Sequence, residues 1–237
     1  MTNAVSSRTL EEMVSYYGAR AHEYDDWWYR RGRYDRNAED TARWHTEVKE
    51  LYAVFDSLSL GGDVLELAPG TGTWTQRLVR TARSVTAVDA SPAMIELNRA
   101  HVRDERVTYV IADLFAWAPE RVYDAVCFGF WLSHVPVERL DDFLETIAKA
   151  LRPGGDLFFA DSLTESTALH DNRRVPGAGS QVMARTLADG REYQIVKNYH
   201  DSSALSARFA RAGLDVPVRQ TATYFQYGTG VHTRHVK

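Results

Sequence analysis

The middle of the chain alternates short apolar runs with segments of helical spacing, and this alternation constrains the fold more than any other feature. Five apolar runs of strand length lie between residues 63 and 161. They occupy 64–67, 85–89, 107–111, 123–128 and 157–161, with helical patterns between them at 74–82, 92–99 and 137–151. Strands that alternate with helices predict right-handed crossovers and a mainly parallel sheet. We therefore predict an α/β protein with helices on both faces of its sheet.

Residues 1–60 are predicted to form a helical lid. Thr9 and Glu12 have the spacing of a capping box at the start of a first helix. Residues 37–58 carry the one-sided apolar spacing of a second helix. The segment 24–34 between them mixes aromatic and charged residues without a clear period, which indicates a loop or an interrupted helix.

Residues 61–237 are predicted to form one core domain. An Asp-Gly turn at 189–190 separates two strand-like runs, which is typical of a β-hairpin. This small hairpin belongs to an insertion over 163–200, expected on the substrate side before the last helix at 202–212. Two further strand-like runs end the chain and predict an antiparallel pair at the sheet edge.

Composition and charge exclude several classes of partner. The formal net charge is −4, and the Lys and Arg residues are scattered along the chain, so no nucleic-acid partner is expected. Cys127 is the only cysteine, which excludes an internal disulfide and a cysteine zinc cluster, and no metal is expected. No apolar stretch has membrane-spanning length, and the N-terminus lacks a signal-peptide core. We expect a cytoplasmic protein without a membrane partner.

The first strand runs into a glycine-rich turn and then a helix, which places a ligand at the carboxyl end of the sheet. Gly70 and Gly72 allow the backbone to approach that ligand closely. Asp89 ends the next strand nineteen residues after Gly70, where a carboxylate can accept hydrogen bonds from both hydroxyls of a ribose. The turn lacks the G-x-G-x-x-G spacing of dinucleotide binders, and Trp74 would crowd a pyrophosphate. An NAD-dependent oxidoreductase is therefore the disfavoured alternative.

The Glu66-x-Ala68-x-Gly70-x-Gly72 run resembles the first motif of the class I S-adenosylmethionine-dependent methyltransferases, with Ala68 in place of the usual first glycine. Four later segments resemble further motifs of that family in the same order: the strand end at Asp89, then 112–114, 127–130 and 151–155. The resemblance covers residues 60–165. It implies a Rossmann-like, seven-stranded sheet, S-adenosylmethionine as cofactor and S-adenosylhomocysteine as its product.

The resemblance also implies the contacts to the cofactor. Glu66 suits the amino group, Asp89 the ribose hydroxyls and Asp113 the exocyclic amine of adenine. Tyr24 and Arg33, in a segment similar to the lid of small-molecule methyltransferases, are implied at the methionine carboxylate. The candidate cofactor-binding residues are Tyr24, Arg33, Glu66, Ala68, Gly70, Gly72, Trp74, Asp89, Ala90, Met94, Asp113, Leu114 and Phe130.

His134, Tyr16 and Tyr17 are the candidate catalytic residues. His134 follows the fourth strand, at the sheet edge where the methyl group is expected. A neutral imidazole is a base near pH 7, because its ordinary pKa is about 6.5. Tyr16 and Tyr17, brought over by the lid, are predicted to relay a proton or to hold the acceptor. A purely structural loop histidine is the alternative for His134.

The acceptor is predicted to be a small aromatic or heteroaromatic molecule, because Trp27, Trp28, Tyr29 and Trp131 border the expected site. The chain is similar to actinobacterial natural-product methyltransferases, including those that methylate C3 of indoles, which implies secondary metabolism. N- or O-methylation of another small metabolite, and a catalytically inactive cofactor-binding protein, are left open. A homodimer is also left open, with Trp27 and Trp28 as an alternative subunit contact.

Overall fold

The computed structural model describes residues 4–163, 173–175, 178 and 180–233. The helices are α1 (Ser7–Arg20), α2 (Tyr24–Trp28), α3 (Ala38–Leu58), α4 (Thr75–Leu78), α5 (Pro92–Val102), α6 (Leu140–Ala150) and α7 (Ser202–Arg211). The strands are β1 (Gly62–Leu67), β2 (Ala82–Asp89), β3 (Val107–Ile111), β4 (Tyr123–Gly129), β5 (Leu151–Ser162), β6 (Arg173–Arg174), β7 (Val182–Thr186), β8 (Glu192–Val196), β9 (Leu214–Asp215), β10 (Val218–Gln220) and β11 (Phe225–His232).

A central sheet runs in the order β10-β11-β5-β4-β1-β2-β3, with β9 paired to the end of β11. Strands β1 to β5 run parallel to one another, and β11 runs antiparallel to both β5 and β10. The predicted α/β architecture with a Rossmann-like sheet is confirmed. The predicted count of seven strands is wrong, because the two-residue strand β9 makes the sheet eight-stranded.

Apolar layers cover both faces of this sheet. Val64 of β1 belongs to the layer beneath α3, whereas Leu65 and Leu67 belong to the layer beneath α6 and α7. The alternation follows from the two-residue period of a strand, and both layers are needed because a central parallel strand is buried on both sides. The helix predicted at 74–82 is shorter than expected and spans only Thr75–Leu78. It ends early because strand β2 begins at Ala82, which pairs with Gly62 of β1.

The N-terminal segment forms two long helices, α1 and α3. The short helix α2 and two 3₁₀ turns lie between them. Ser6, not Thr9, caps α1: its hydroxyl accepts a hydrogen bond from Thr9 N at 3.2 Å. The predicted capping box is therefore wrong, and Glu12 instead accepts a hydrogen bond from Gln194 N at 2.7 Å. The segment 24–34 contains the five-residue α2 and a 3₁₀ turn, which confirms the expected interrupted helix.

A second sheet, β6-β7-β8, packs on α1. Strands β7 and β8 form the predicted antiparallel hairpin. Met13 and Tyr16 of α1 share an apolar cluster with Ile195 and Val196 of β8. Parts of the proposed 163–200 insertion, at 164–172, 176–177 and 179, lie outside the described residues. The division into lid, core and insertion stays a prediction.

Candidate active site

A cavity of about 610 Å³ lies at the carboxyl ends of β1, β2 and β4. The turn after β1, the loop after β3 and helix α1 form its walls. Its volume is within the range of small-molecule sites in proteins. The structure thus places a ligand-sized space where the sequence predicts one.

The turn after β1 presents its backbone to this cavity. Ala68 and Gly70 line it, with φ angles of 50° and 54°. A Cβ atom at Gly70 would meet no atom within 4 Å, so the backbone there faces open space. Gly72 is turned away, since a Cβ at this residue would lie 3.1 Å from Asn98 Cγ. Gly70 therefore leaves room for a ligand, and Gly72 allows the turn to pack on α5.

Asp89 faces the cavity at the end of β2. Its Oδ2 accepts a hydrogen bond from Gly70 N at 3.2 Å, and its Oδ1 accepts one from Ser91 N at 2.8 Å. Each oxygen keeps a further lone pair, so the carboxylate can still accept from two vicinal hydroxyls. Burial raises the pKa of Asp89 to about 6, although the backbone N–H groups act in the opposite direction.

The cavity is also lined by Ala90, Met94, Asp113 and Leu114, which the family resemblance assigns to the adenosine part of the cofactor. Asp113 Oδ1 accepts a hydrogen bond from Phe115 N at 2.9 Å, which orients the carboxylate at the start of the loop after β3. Phe130 lines the cavity as well, in a left-handed conformation with φ of 58°. Such a backbone is uncommon for a bulky residue and is typical of functional sites.

Glu66 and Trp74 do not line the cavity. Glu66 is 1% exposed, and neither carboxylate oxygen makes a well-directed hydrogen bond within the described residues. Burial raises the pKa of Glu66 to about 8, with only partial opposition from the Thr75 hydroxyl. Trp74 packs between Phe55 and Phe158, with ring centroids at 5.0 and 5.1 Å. The two residues lie beneath the turn, and their contact with a cofactor stays a prediction.

Tyr24 lines the cavity, but Arg33 does not. Arg33 Nη1 donates to Thr186 O at 3.1 Å, on the hairpin. The cation beside Tyr24 is Arg20, whose guanidinium lies 5.0 Å from the Tyr24 ring centroid. Sequence reasoning missed Arg20, although it precedes Tyr24 by four residues, a separation that brings side chains together on a helix.

Tyr17 and His134 meet in the cavity wall. His134 Nδ1 lies 2.7 Å from Val196 O, and since a carbonyl oxygen can only accept, Nδ1 carries the proton. His134 Nε2 is then an acceptor, and the Tyr17 hydroxyl donates to it at 2.7 Å. Burial and the positive charges of Lys197 and Arg185 lower the pKa of His134 well below its ordinary value. The ring is therefore a neutral base at pH 7.

The other predicted aromatic residues have different places. Tyr16 is buried outside the cavity, 5.7 Å from the Tyr193 ring. Trp27 and Trp28 belong to the core beneath α3, 8% and 2% exposed, so neither forms the predicted substrate wall or an accessible subunit contact. Both indoles are drawn inside because they pack around Trp44 and Phe130. Of the aromatic residues predicted at the acceptor, Trp131 lines the cavity.

A buried polar network adjoins the Tyr17–His134 pair. Lys197 Nζ donates to Ser133 Oγ at 2.7 Å and lies 3.7 Å from Asp161 Oδ1. Asp161 Oδ2 accepts a hydrogen bond from Ser133 N at 2.8 Å, so it fixes the residue before His134. The sequence did not predict Lys197 in this network or the hydrogen bond of Asp161 to Ser133 N. The contact between Lys197 and Asp161 depends on the packing of segments that are far apart in the chain.

The arrangement of these residues fits S-adenosylmethionine. The Asp89 carboxylate suits a ribose diol, and the open backbone at Gly70 leaves room for the amino acid part. Arg20 places a positive charge 5.0 Å from the ring of the cavity-lining Tyr24, although Arg20 itself does not line the cavity. In the described part of the chain, no group of three or more His, Cys, Asp or Glu residues could hold a metal ion. Among the helices of the described ranges, none combines the length and the apolar composition that a membrane span requires.

Comparison with known proteins agrees with this geometry. Residues 64–155 match the family described as "Methyltransferase domain". The chain is 30% identical over 117 residues to a demethylmenaquinone methyltransferase of Tropheryma whipplei (strain Twist), across 49% of this chain and 46% of that protein. It thus spans about half the length of that relative. It is 29% identical to a ubiquinone biosynthesis O-methyltransferase of Xylella fastidiosa (strain 9a5c), across 78% of this chain and 79% of that one.

A solved structure matches nearly the whole chain. The complex of DhpI with S-adenosylhomocysteine superposes with a TM-score of 0.79 and 32% sequence identity, covering 98% of this chain and 100% of DhpI. The chain therefore belongs to the class I S-adenosylmethionine-dependent methyltransferases, and the predicted enzyme class and cofactor are confirmed.

Proposed function

We propose that this protein transfers a methyl group from S-adenosylmethionine to a small-molecule acceptor that lies against Tyr17 and His134. The observation that carries the proposal is the 2.7 Å hydrogen bond from Tyr17 to His134 Nε2 in the wall of the same cavity that holds Asp89. A carboxylate suited to a ribose diol and an oriented neutral base thus line one cavity. Methyl transfer requires little more than this alignment and the exclusion of water.

The chain's own residues move a proton and hold the reactants. When bound, S-adenosylmethionine supplies a methyl group on a positively charged sulfur, and that sulfur becomes the neutral thioether of S-adenosylhomocysteine. The Tyr17 oxygen would accept the proton that an X–H acceptor loses when it is methylated. Tyr17 passes its own proton to His134 Nε2, so the charge on the ring is balanced by the positive charge lost from the sulfur. The Val196 carbonyl holds Nδ1 throughout.

We further propose an aromatic acceptor, with C3 of an indole in natural-product biosynthesis as the specific candidate. Support comes from Trp131 and Phe115, which line the cavity with ring centroids 5.4 Å apart and a tilt of 38° between them, and so offer an apolar aromatic wall. Support no longer comes from Trp27 and Trp28, which lie in the core, or from Tyr29, which is 47% exposed. N- and O-methylation are the competing outcomes of an acceptor screen.

The test is turnover with methyl-labelled S-adenosylmethionine and a panel of small acceptors that includes indoles. We expect release of S-adenosylhomocysteine and a labelled product whose methylated atom is identified by NMR. His134→Gln should lower kcat by about 10²–10⁴-fold, the usual contribution of a general base. Wild-type kcat should not fall between pH 8 and 6.5, because the lowered pKa of His134 keeps its ring neutral there.

His200→Gln is the matched control, because His200 is a nearby half-buried histidine whose Nε2 faces Leu132 O at 3.3 Å and which does not line the cavity. Its kcat should stay near the wild-type value. A wild-type protein that binds S-adenosylhomocysteine but methylates nothing in the panel would favour the inactive binding protein. An unchanged kcat in His134→Gln would remove that residue from the reaction.

A further inference from the structure

The chain that leaves the hairpin runs along the turn that carries His134. Residues 196–198 hydrogen-bond to residues 133–135, so three consecutive residues of one segment face three of the other. The Val196 carbonyl accepts from His134 Nδ1 at 2.7 Å and holds the ring itself. Asn198 completes the arrangement, because its contacts lie on either side of the candidate base.

Asn198 holds both carbonyl groups that flank His134. Its backbone N–H donates to Ser133 O at 2.7 Å, and its side-chain Nδ2 donates to Val135 O at 2.9 Å. Asn198 is 8% exposed, and buried hydrogen bonds that are fully satisfied make a segment rigid. The position of the His134 ring therefore depends on a side chain that does not itself line the cavity.

The amide of Asn198 is held in one orientation. Gln181 Oε1 accepts a hydrogen bond from Val137 N at 2.7 Å, which identifies this atom as the amide oxygen. Asn198 Nδ2 donates to the same oxygen at 3.1 Å. Both N–H groups of the Asn198 amide thus have acceptors, and a flipped amide would place its oxygen against two other oxygens. The donor toward Val135 is therefore fixed by its surroundings.

The contacts of this amide continue to the segment before α1, the helix that carries Tyr17. Gln181 Nε2 donates to Glu138 Oε2 at 2.9 Å, and Glu138 Oε1 accepts from Val5 N at 2.7 Å. A chain of hydrogen bonds therefore joins the turn of His134 to the start of helix α1. Since Tyr17 donates to His134 from that helix, both members of the pair are held through one set of contacts.

We propose that Asn198 is a positioning residue for methyl transfer, which keeps His134 Nε2 in line with the Tyr17 hydroxyl in the cavity wall. The inference rests on the proposed function, in which His134 is the base, and deepens it by naming the residue that places this base. Asn198 acts through the turn and exchanges no proton. Its loss should therefore slow the chemical step and leave cofactor binding intact.

Two substitutions of Asn198 test this role. Asn198→Ala removes the side-chain donor, and Asn198→Leu removes it while keeping the branched shape of the side chain. Each should lower kcat by about 10–100-fold with the acceptor that the panel identifies, because a small displacement of a catalytic group is costly. The Kd of S-adenosylhomocysteine, measured by calorimetry, should stay at the wild-type value, since Gly70 and Asp89 are untouched.

Nitrogen NMR of the His134 ring gives a second measurement, which needs no acceptor. Long-range proton–nitrogen spectra of the wild-type protein should show a protonated Nδ1 and an unprotonated Nε2, as the hydrogen bonds require. The signals that are missing from the spectrum of His134→Gln assign this ring. Each Asn198 variant should move the two nitrogen signals toward each other, because a ring that is no longer fixed exchanges between its two tautomers.

Ser202→Ala is the matched control. Ser202 is 9% exposed and follows Asn198 closely in the chain, and its hydroxyl also makes two side-chain hydrogen bonds. They join it to Gln226 at 3.1 Å and to Gln220 at 2.7 Å, and neither partner belongs to the turn of His134. This variant should keep the wild-type kcat and the wild-type signals of His134.

Wild-type signals of His134 in both Asn198 variants would overturn the proposal, and so would an equal disturbance in Ser202→Ala. A loss of S-adenosylhomocysteine affinity that matches the fall in kcat would also overturn it, since Asn198 would then support the fold as a whole. An unchanged kcat in His134→Gln would instead contradict the proposed function. The spectra of the Asn198 variants would still show whether Asn198 fixes the ring.

Discussion

At the scale of single residues, Ala68 holds a conformation that costs it free energy. Its φ of 50° is left-handed, where an L-residue with a Cβ is strained by about 1 kcal/mol. Ala68→Gly should therefore stabilise the protein by up to about 1 kcal/mol, since relief of strain exceeds the added freedom of the unfolded chain. Urea denaturation measures the change.

Ala90→Gly is the control for this substitution. Ala90 also lines the cavity but is not among the described residues with positive φ. Glycine there should destabilise by roughly 0.5–1 kcal/mol, because only chain entropy changes. A loss of stability in both variants would show that Ala68 is not strained.

Glu66 makes stability depend on pH. Its pKa in the folded protein is about 8, above the ordinary 4.5, so between these values the folded state keeps a proton that the unfolded chain releases. Stability therefore falls as pH rises from 4.5 to 8. Glu66→Gln should flatten this slope and raise stability at pH 8 on the order of a few kcal/mol. Denaturation midpoints at pH 5, 6, 7 and 8 test it.

Asp63→Asn separates this effect from a general loss of charge. Arg83 and Ser84 lower the pKa of Asp63 to about 2, so its contribution is lost only as pH falls below 3.8. The slope between pH 4.5 and 8 should be unchanged in this variant. A Glu66→Gln curve parallel to the wild-type curve would contradict the assignment.

At the scale of elements, a carboxylate ties helix α1 to the hairpin. Glu12 Oε1 accepts a hydrogen bond from Gln194 N at 2.7 Å, across the cluster that includes Met13 and Ile195. This bond helps to keep Tyr17 against His134. Glu12→Gln should weaken it by about 1 kcal/mol, because an ionised acceptor is replaced by a neutral one.

Hydrogen exchange measures this coupling. The Gln194 amide should exchange about fivefold faster in Glu12→Gln, while amides of β1 and β4 keep their wild-type protection. Glu50→Gln, on the exposed side of α3, should change neither. Faster exchange throughout the central sheet would instead mean that the whole molecule, and not the α1–hairpin contact, is weakened.

At the scale of the whole molecule, cofactor binding should stabilise the fold. A ligand that binds only the native state adds about 2.7 kcal/mol at one hundred times its Kd, which raises Tm by roughly 5–11 °C in a protein of this size. S-adenosylmethionine and S-adenosylhomocysteine should both give this shift in a thermal scan. NAD should give none.

Asp89→Ala should abolish the shift with either ligand, because it removes the acceptor that faces the cavity and is held by Gly70 N and Ser91 N. Asp113→Asn should retain part of it, since the cavity keeps its other contacts. An equal shift with NAD, or a full shift in Asp89→Ala, would contradict the placement of the cofactor.

Sequence patterns alone were enough to predict the mainly parallel sheet, five of its strands, the hairpin at 189–190, the glycine-rich turn after β1 and Asp89 at the end of β2. These features depend on local periodicity and on neighbours within about twenty residues. Which side chains meet in the cavity depends instead on contacts between elements that are distant in the chain. Tyr17 and His134 are 117 residues apart, and Lys197 reaches Ser133 across 64.

The same distinction explains why Arg33 and Trp27 do not lie where the sequence predicted them. Arg33 and Trp27 lie in a segment without a clear period, so the direction of each side chain was set by packing on α3 and on the hairpin. Arg20 does adjoin Tyr24, and four aromatic rings that surround its guanidinium within 6 Å hold it there. Periodicity predicts which face of an element is buried, whereas contacts between distant elements depend on how those faces fit together.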